Sequence, residues 1–538
     1  MNLKKQDLFW ILPLALVLGL LTSSLQNGGW LGFSSLFLLS LILLKATYSW
    51  SNGGRKLAII ITIAFALRLV GGVATYIFLP NYGYQDSSDG LAGYSYTDAH
   101  KRDEQAWKLA SSDKPILDAF SGGYSSDQYG GLLALSALMY RYLSPDAQRP
   151  LMMILLAAFV AALGIPFFWK AANQVFGEKV AWASAWIFAL YPESILLGGS
   201  AMREPYLMTL SALVFWGFVE WRDFDVVGAG SPRPRPILAI IALSLSLLGM
   251  LLLSPAVAVF TLILFAGWML FSRERAKISW KSIILFATVF LIGLFALSSS
   301  LNRKGVFDTT SPMSVLNDWI QLSVKWNVYQ IEKESGWVQK LFDEMPESLR
   351  LPFVATYGIL QPVLPAALVV PTLPIWKIIY VLRALGWYAL LPLLILSFVT
   401  GSSPHVGVKR ADDRRESRSI FVWLALLAWT WILLAALRGG GDQWDNPRYR
   451  AIMFMWQALV AGVVWVWWRE TKSIWFTCIV LCDFVFILIF GQWYASRYFY
   501  VGGQLPFAVM IALILGLWGA IVGAGLWLEK RRVPPRSM

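Results

Sequence analysis

Three short stretches place carboxylates and arginines side by side. "TDAHKRDE" carries Asp98, His100, Lys101, Arg102, Asp103 and Glu104. "YPESILLGGSAMREP" carries Tyr191, Glu193, Arg203 and Glu204, and "RGGGDQWDNPRYR" carries Arg438, Asp442, Asp445, Arg448, Tyr449 and Arg450. A carboxylate can take the proton of an attacking hydroxyl, and arginine offers paired N–H donors that match a phosphate. A site with both, opening at the edge of a bilayer, suits transfer of a group away from a lipid-linked phosphate. Charges at helix ends also anchor spans in the headgroups and pair with one another, so no one of these residues carries the reading alone. Three acid-plus-arginine groups on one side of a membrane favour function, because ionisable groups near a bilayer are costly.

The elements that must hold these groups are membrane helices. Of 538 residues, 57% are hydrophobic and 14% charged, with a mean hydropathy of +0.58. A soluble domain carries about 25% charged residues, so a soluble multidomain enzyme is excluded. The net charge of +13 does not point to nucleic acid, since the basic residues lie in short clusters beside apolar runs, the pattern that orients spans. Cys478 and Cys482, four apart in one apolar run, read as core rather than as a disulfide or a metal set. With two histidines there is no His-rich zinc site, and no Gly-rich phosphate loop supports a nucleotide-driven enzyme.

Apolar runs of about 20 residues predict about fourteen spans: 8–25, 30–45, 56–79, 150–169, 180–198, 204–221, 236–253, 256–272, 282–300, 379–400, 418–437, 450–468, 474–491 and 505–527. With the N-terminus inside, every connection assigned to the cytoplasm is basic, from Lys45, Arg55 and Lys56 to Lys530, Arg531 and Arg532. Both termini are then cytoplasmic, the first run is a retained helix, and the three acid–arginine stretches lie on the outer side of the cytoplasmic membrane. The path divides the chain into an N-terminal hairpin (1–55), a core (56–300) with a long external loop (80–149), an external segment (301–378) and C-terminal spans (379–538). Amphipathic helices are expected in both long loops, one of them from Gln128 to Tyr142. Pro352, Pro362, Pro365, Pro371 and Pro374 break residues 351–378, which are interfacial, re-entrant or a hairpin crossing twice. Arg68 and Asp483 fall inside spans, where either can pair with another helix or face a cavity; the blander readings are that Arg68 snorkels and that Asp483 is a buried helix contact.

In the first loop the sharpest element is "RDEQAWKLA", Arg102 to Ala110, where a helix puts Asp103, Trp107 and Ala110 on one face. An Asp-Glu pair followed by an aromatic and a small residue, in the first large external loop after an early helix, resembles the polytopic glycosyltransferases of the type C fold. These include protein O-mannosyltransferases and aminoarabinose transferases. "YPESILLGGSAMREP" resembles the family's external turn with an Arg-Glu pair, and "NPRYRAIMFMWQALVAG" its Arg-Tyr entry into a late helix. Trp107 stands where the family often has Tyr, and the N-terminal hairpin is additional to the family pattern.

The resemblance implies an all-α GT-C-like bundle that moves a sugar from a polyprenyl-phosphate donor to an acceptor hydroxyl with inversion. It implies Asp103 as general base with Glu104 beside it. Arg203, Arg438, Arg448 and Arg450 would bind the donor phosphate, and Asp98, His100, Glu193, Glu204 and Tyr449 would support them. The partners are then the lipid-linked sugar, a lipid, glycan or protein acceptor, and membrane lipids, without nucleic acid. No cofactor is certain and metal dependence is open: a divalent cation could sit in the acid-rich stretches "DSSD" (Asp86 to Asp89) and Thr97 to Glu104. The rival readings are an O-antigen polymerase or ligase with a diphosphate-linked glycan, and a lipid-linked sugar flippase or other transporter.

Overall fold

The computed structural model describes residues 5–26, 28–121, 123–124, 129–227, 237–271, 288, 345–401, 414–439 and 442–532. Among these the chain is all-helical, with no strand. In order the helices are α1 (Lys5–Leu25), α2 (Trp30–Ser51), α3 (Gly54–Tyr82), α4 (Ser88–Leu91), α5 (Thr97–Ala110), α6 (Gly131–Leu143), α7 (Pro150–Phe176), α8 (Glu178–Leu190), α9 (Pro192–Gly198), α10 (Glu204–Val227), α11 (Ile237–Leu253) and α12 (Pro255–Phe271). Then follow α13 (Glu347–Leu360), α14 (Leu364–Val369), α15 (Pro374–Thr400), α16 (Arg414–Gly439), α17 (Asp445–Ala451), α18 (Phe454–Thr471), α19 (Ile474–Phe499) and α20 (Phe507–Arg532).

The chain is a multi-pass membrane protein. Among the described residues seven helices are long and apolar enough to cross a bilayer, and nine if each of two bent pairs is one crossing. The ninth expected span, 282–300, lies outside the described residues but for residue 288, as does the second long loop, 301–350, where a further helix pair is expected, up to residue 344. α11 and α12 have 17 residues each.

The centre of the bundle is α7, whose most apolar stretch is 83% buried, while α19 and α20 at the periphery are 17% and 11% buried. α7 owes its place to small residues that let neighbours approach: a side chain at Gly164 would collide with the Thr209 hydroxyl and press on its Cα, and that hydroxyl donates to the Val160 carbonyl at 2.6 Å.

Two expected spans are broken. The run 180–198 bends by 57° between α8 and α9, and the entry to 450–468 bends by 74° between α17 and α18. The first break follows from Pro192, which holds Tyr191 in an extended conformation (φ −61°, ψ 119°). A helix that stops inside the bundle leaves its last carbonyls without partners. Arg68, fully buried on α3, donates to Phe188 O (3.3 Å), Ala189 O (3.0 Å) and Ser194 Oγ (2.8 Å), bridging the break. Arg68 therefore pairs with a neighbouring element and clamps its break rather than snorkelling. Arg68→Met is expected to destabilise the protein by roughly 2–4 kcal/mol, read as a lower melting temperature in detergent; melting like the wild type would show that the break stands without it.

In the segment 351–378, the breaks fall at Gln361–Val363 and Val370–Leu373, between α13, α14 and α15. Pro352 does not break the chain but lies inside α13. The loop 80–149 folds into α4, α5, a 3-10 turn (Ile116–Phe120) and α6, the last matching the helix expected over Gln128 to Tyr142.

Candidate functional site

α5 and α6 pack through a buried polar centre. Asp103, 2% exposed, accepts hydrogen bonds from Tyr94 Oη (2.6 Å), Tyr140 Oη (2.7 Å to Oδ1) and Gln148 Nε2 (2.8 Å). Arg141 fastens the end of α5 by donating to the carbonyls of Leu109, Ala110, Ser112 and Lys114. Burial raises the pKa of Asp103, outweighing the hydrogen bonds from Tyr94, Gln148 and Tyr140 that lower it.

An acid harder to ionise in the fold than in the unfolded chain keeps its proton preferentially in the fold. Stability then declines as pH rises from its ordinary 3.8 through the raised folded value. Relative to Asp103→Asn, the wild type is expected to gain melting temperature as pH falls from neutral toward about 4. A pH-independent difference between the two would contradict this assignment.

Glu104 does not accompany Asp103 into this centre. Its side chain is 59% exposed and lies 3.3 Å from His100 Nε2 on the other face of α5. His100 Nδ1 meets Asp89 Oδ1 at 2.7 Å, its ring stacks on Tyr94 at 4.7 Å, and Thr97 donates to Asp89 at 2.6 Å. Asp89 is thus committed to protein partners, and no group of three or more His, Cys, Asp or Glu side chains that could hold a metal occurs among the described residues.

A second centre gathers the three stretches. Arg448, on α17, has its Nη1 at 2.9 Å from Asp98 Oδ2 and 3.5 Å from Asp445 Oδ1, and its Nε at 3.5 Å from Glu204 Oε1. Arg448 is 8% exposed and Glu204 fully buried, whereas the Asp98 side chain is 50% exposed. Both Glu204 oxygens lack a hydrogen bond of good geometry. Burial pushes the Asp98 pKa up, but Arg448 and then Arg102 outweigh it and hold the carboxyl below its usual value. The Tyr449 ring faces Arg438 at 4.5 Å and Arg448 at 5.0 Å. Arg203 stands apart over the Tyr129 ring at 5.5 Å, with no carboxylate within ion-pair distance among the described residues.

Behind this lies an ion pair absent from the sequence reading. Arg383, on α15, grips Glu193 through Nε (2.5 Å) and Nη2 (3.0 Å), and both side chains are 1% exposed. One signal was available: Arg383 is a lone arginine in a long apolar run, and intramembrane charges need partners. The Arg383 guanidinium also covers the Trp444 ring at 4.3 Å and donates to the Trp444 carbonyl at 3.3 Å. Trp444 joins an aromatic wall with Trp376 (5.2 Å), Tyr380 (5.3 Å) and Tyr96 (5.7 Å), and exposed Tyr84 stacks on Trp376.

Arg450, expected at the phosphate, is instead enclosed at 1% exposure, over Trp387 at 3.3 Å and donating to Gln361 O at 3.0 Å. It works with Asn446, Trp387 and Tyr388, which donate to the carbonyls of Gly358, Ile359 and Leu360. These four side chains satisfy the carbonyls that end α13.

The described residues define an all-α, multi-pass membrane protein with an acid–arginine centre where loop 80–149, the α9–α10 turn and α17 converge. No family model and no curated protein matches the chain. Among solved structures it is similar to the archaeal oligosaccharyltransferase AglB from Archaeoglobus fulgidus, in complex with an inhibitory peptide and a dolichol-phosphate. The two share 13% identity and a TM-score of 0.41, over 90% of this chain and 56% of that one. The chain thus spans little more than half of that protein's length.

Proposed function

We propose that this protein is a membrane glycosyltransferase of type C fold. It takes a sugar from a polyprenyl-phosphate donor and passes it, with inversion, to an acceptor hydroxyl at the outer face of the cytoplasmic membrane. The observation that carries this reading is the convergence on Arg448 of Asp98, Glu204 and Asp445, from three distant stretches, with half-exposed Asp98 at the rim of an otherwise buried guanidinium. Arg448, with Arg438 across the Tyr449 ring, binds the donor phosphate and stabilises the charge that grows as it leaves, aided by Arg203, whose charge acts on Asp98. Glu204 and Glu193 orient the arginines, and Arg450 supports them from inside. Single ring faces in the aromatic wall offer an apolar surface for one face of a sugar ring, beside carboxylates suited to its hydroxyls.

Asp103 is the general base. Its burial makes it more basic than a solvated aspartate, and Tyr94 and Tyr140 fix its orientation. The acceptor hydroxyl gives its proton to Asp103 while its oxygen bonds to the anomeric carbon. The bond from that carbon to the phosphate oxygen breaks, and its electron pair leaves with the lipid phosphate.

The test is release of prenyl phosphate from a radiolabelled prenyl-phosphate hexose by the full chain in nanodiscs supplemented with membrane extract as acceptor source. Arg448→Gln is expected to slow release by about 10²–10³-fold. Turnover of diphosphate-linked but not monophosphate-linked glycans would favour the polymerase or ligase reading. Movement of intact donor across proteoliposomes, without cleavage, would favour a transporter.

A further inference from the structure

Of the three donors to Asp103, Tyr94 and Tyr140 are buried at 9% and 0% exposure, and Gln148 alone is partly exposed. Gln148 lies in the turn Ser144–Arg149 that joins α6 to α7, and this turn is fastened tightly. The Ser144 hydroxyl donates to Ala147 O at 2.6 Å. Arg149 donates to both Asp146 oxygens at 2.6 Å and to Ser144 Oγ at 2.6 Å.

The same arginine reaches the N-terminal hairpin, donating from Nε to Gly28 O at 3.0 Å. Gly28 and Gly29 both have positive φ, at 102° and 81°, a conformation that favours glycine. A Cβ at Gly29 would also collide with the Arg149 side chain, and one at Gly32 with the Leu143 carbonyl at the end of α6. The hairpin, which has no part in the proposed chemistry, therefore lies directly on the residue next to Gln148.

We propose that Gln148 holds the place on Asp103 that the acceptor hydroxyl takes, and that the Ser144–Arg149 turn, latched to Gly28 and Gly29, is the gate by which the acceptor arrives. This rests on Asp103 being the base. An incoming O–H replaces the amide N–H one for one, so Asp103 keeps three donors and no buried carboxylate oxygen is left unpaired. Tyr94 and Tyr140 stay in place and hold the carboxylate toward the opening. The side chain at position 148 and the latch behind it then set which acceptors can reach the carboxylate.

The gate can be tested without any substrate. The full chain in detergent is treated with a water-soluble carbodiimide and glycinamide, and the coupled carboxylates are mapped by peptide mass spectrometry. In the wild type, Asp103 should couple at least about tenfold more slowly than exposed Glu104. Gln148→Ala should speed coupling at Asp103 about tenfold, the scale of one lost hydrogen bond. Gly29→Val should do the same with Gln148 still present, whereas Tyr94→Phe, which removes a buried donor, should not.

Equal coupling in the wild type and Gln148→Ala, or an equal rise in Tyr94→Phe, overturns the gate whatever the protein transfers; should Gly29→Val fail to fold, the Gln148 and Tyr94 variants decide. If coupling behaves as expected but Asp103→Asn transfers normally, the turn still controls access to Asp103, while the base assignment fails and the admission of an acceptor there is overturned with it.

Discussion

Arg383→Met is expected to destabilise the protein by about 3–5 kcal/mol, because it strands the Glu193 carboxylate at 1% exposure without its counter-charge. The loss should appear as a lower melting temperature in detergent and a smaller folded fraction in the membrane. Glu193→Gln should cost less, since the neutral amide can still accept one hydrogen bond from Arg383. The double variant should recover part of the single Arg383→Met loss, as two neutral groups then replace one unpaired charge. A charge-preserving Arg383→Lys should not restore the wild type, because an ammonium cannot make both the 2.5 Å and 3.0 Å contacts and also cover Trp444. Independent losses from the two single substitutions, adding in the double variant, would show that the pair does not act as a unit.

The arginines also mark the boundary between what the sequence carries and what it hides. The membrane helices and the loop helix over 131–143 are legible because apolar runs and their periodicity report burial directly. The break at Tyr191 had a local cause in Pro192, whereas the 74° bend between α17 and α18 has neither Pro nor Gly at Ile452–Met453 to announce it.

Where a helix breaks decides which carbonyls lose partners, and so which buried arginines are needed to meet them. Arg68 and Arg450 follow from those breaks, at the ends of α8 and α13. Read along the chain, Arg450 is two residues from Arg448 and looks equivalent to it. On α17 the two side chains diverge, one toward Asp98 at the rim and the other into the bundle over Trp387. Asp103 and Glu104 part in the same way on α5, a consequence of the 100° step between adjacent helical residues.

The second large effect falls on chemistry rather than stability. Asp103→Asn should reduce sugar transfer by about 10²–10⁴-fold, the range associated with losing a general base, with donor binding unchanged. The substitution suits the question because the amide has nearly the shape of the carboxylate and, with its oxygen in the Oδ2 place, can still accept from Tyr94, Tyr140 and Gln148. Its new N–H₂ then takes the Oδ1 place beside the Tyr140 hydroxyl, which keeps its bond to the oxygen at 2.8 Å. All three donors keep an acceptor, so folding should persist. Asp98→Asn should behave differently: it weakens the pair with Arg448 at 2.9 Å and therefore raises the donor KM, with a smaller effect on kcat. Measuring kcat and donor KM for both variants separates the roles. If Asp98→Asn loses kcat and Asp103→Asn turns over normally, the half-exposed rim carboxylate is the base, and the buried one only binds α5 to α6.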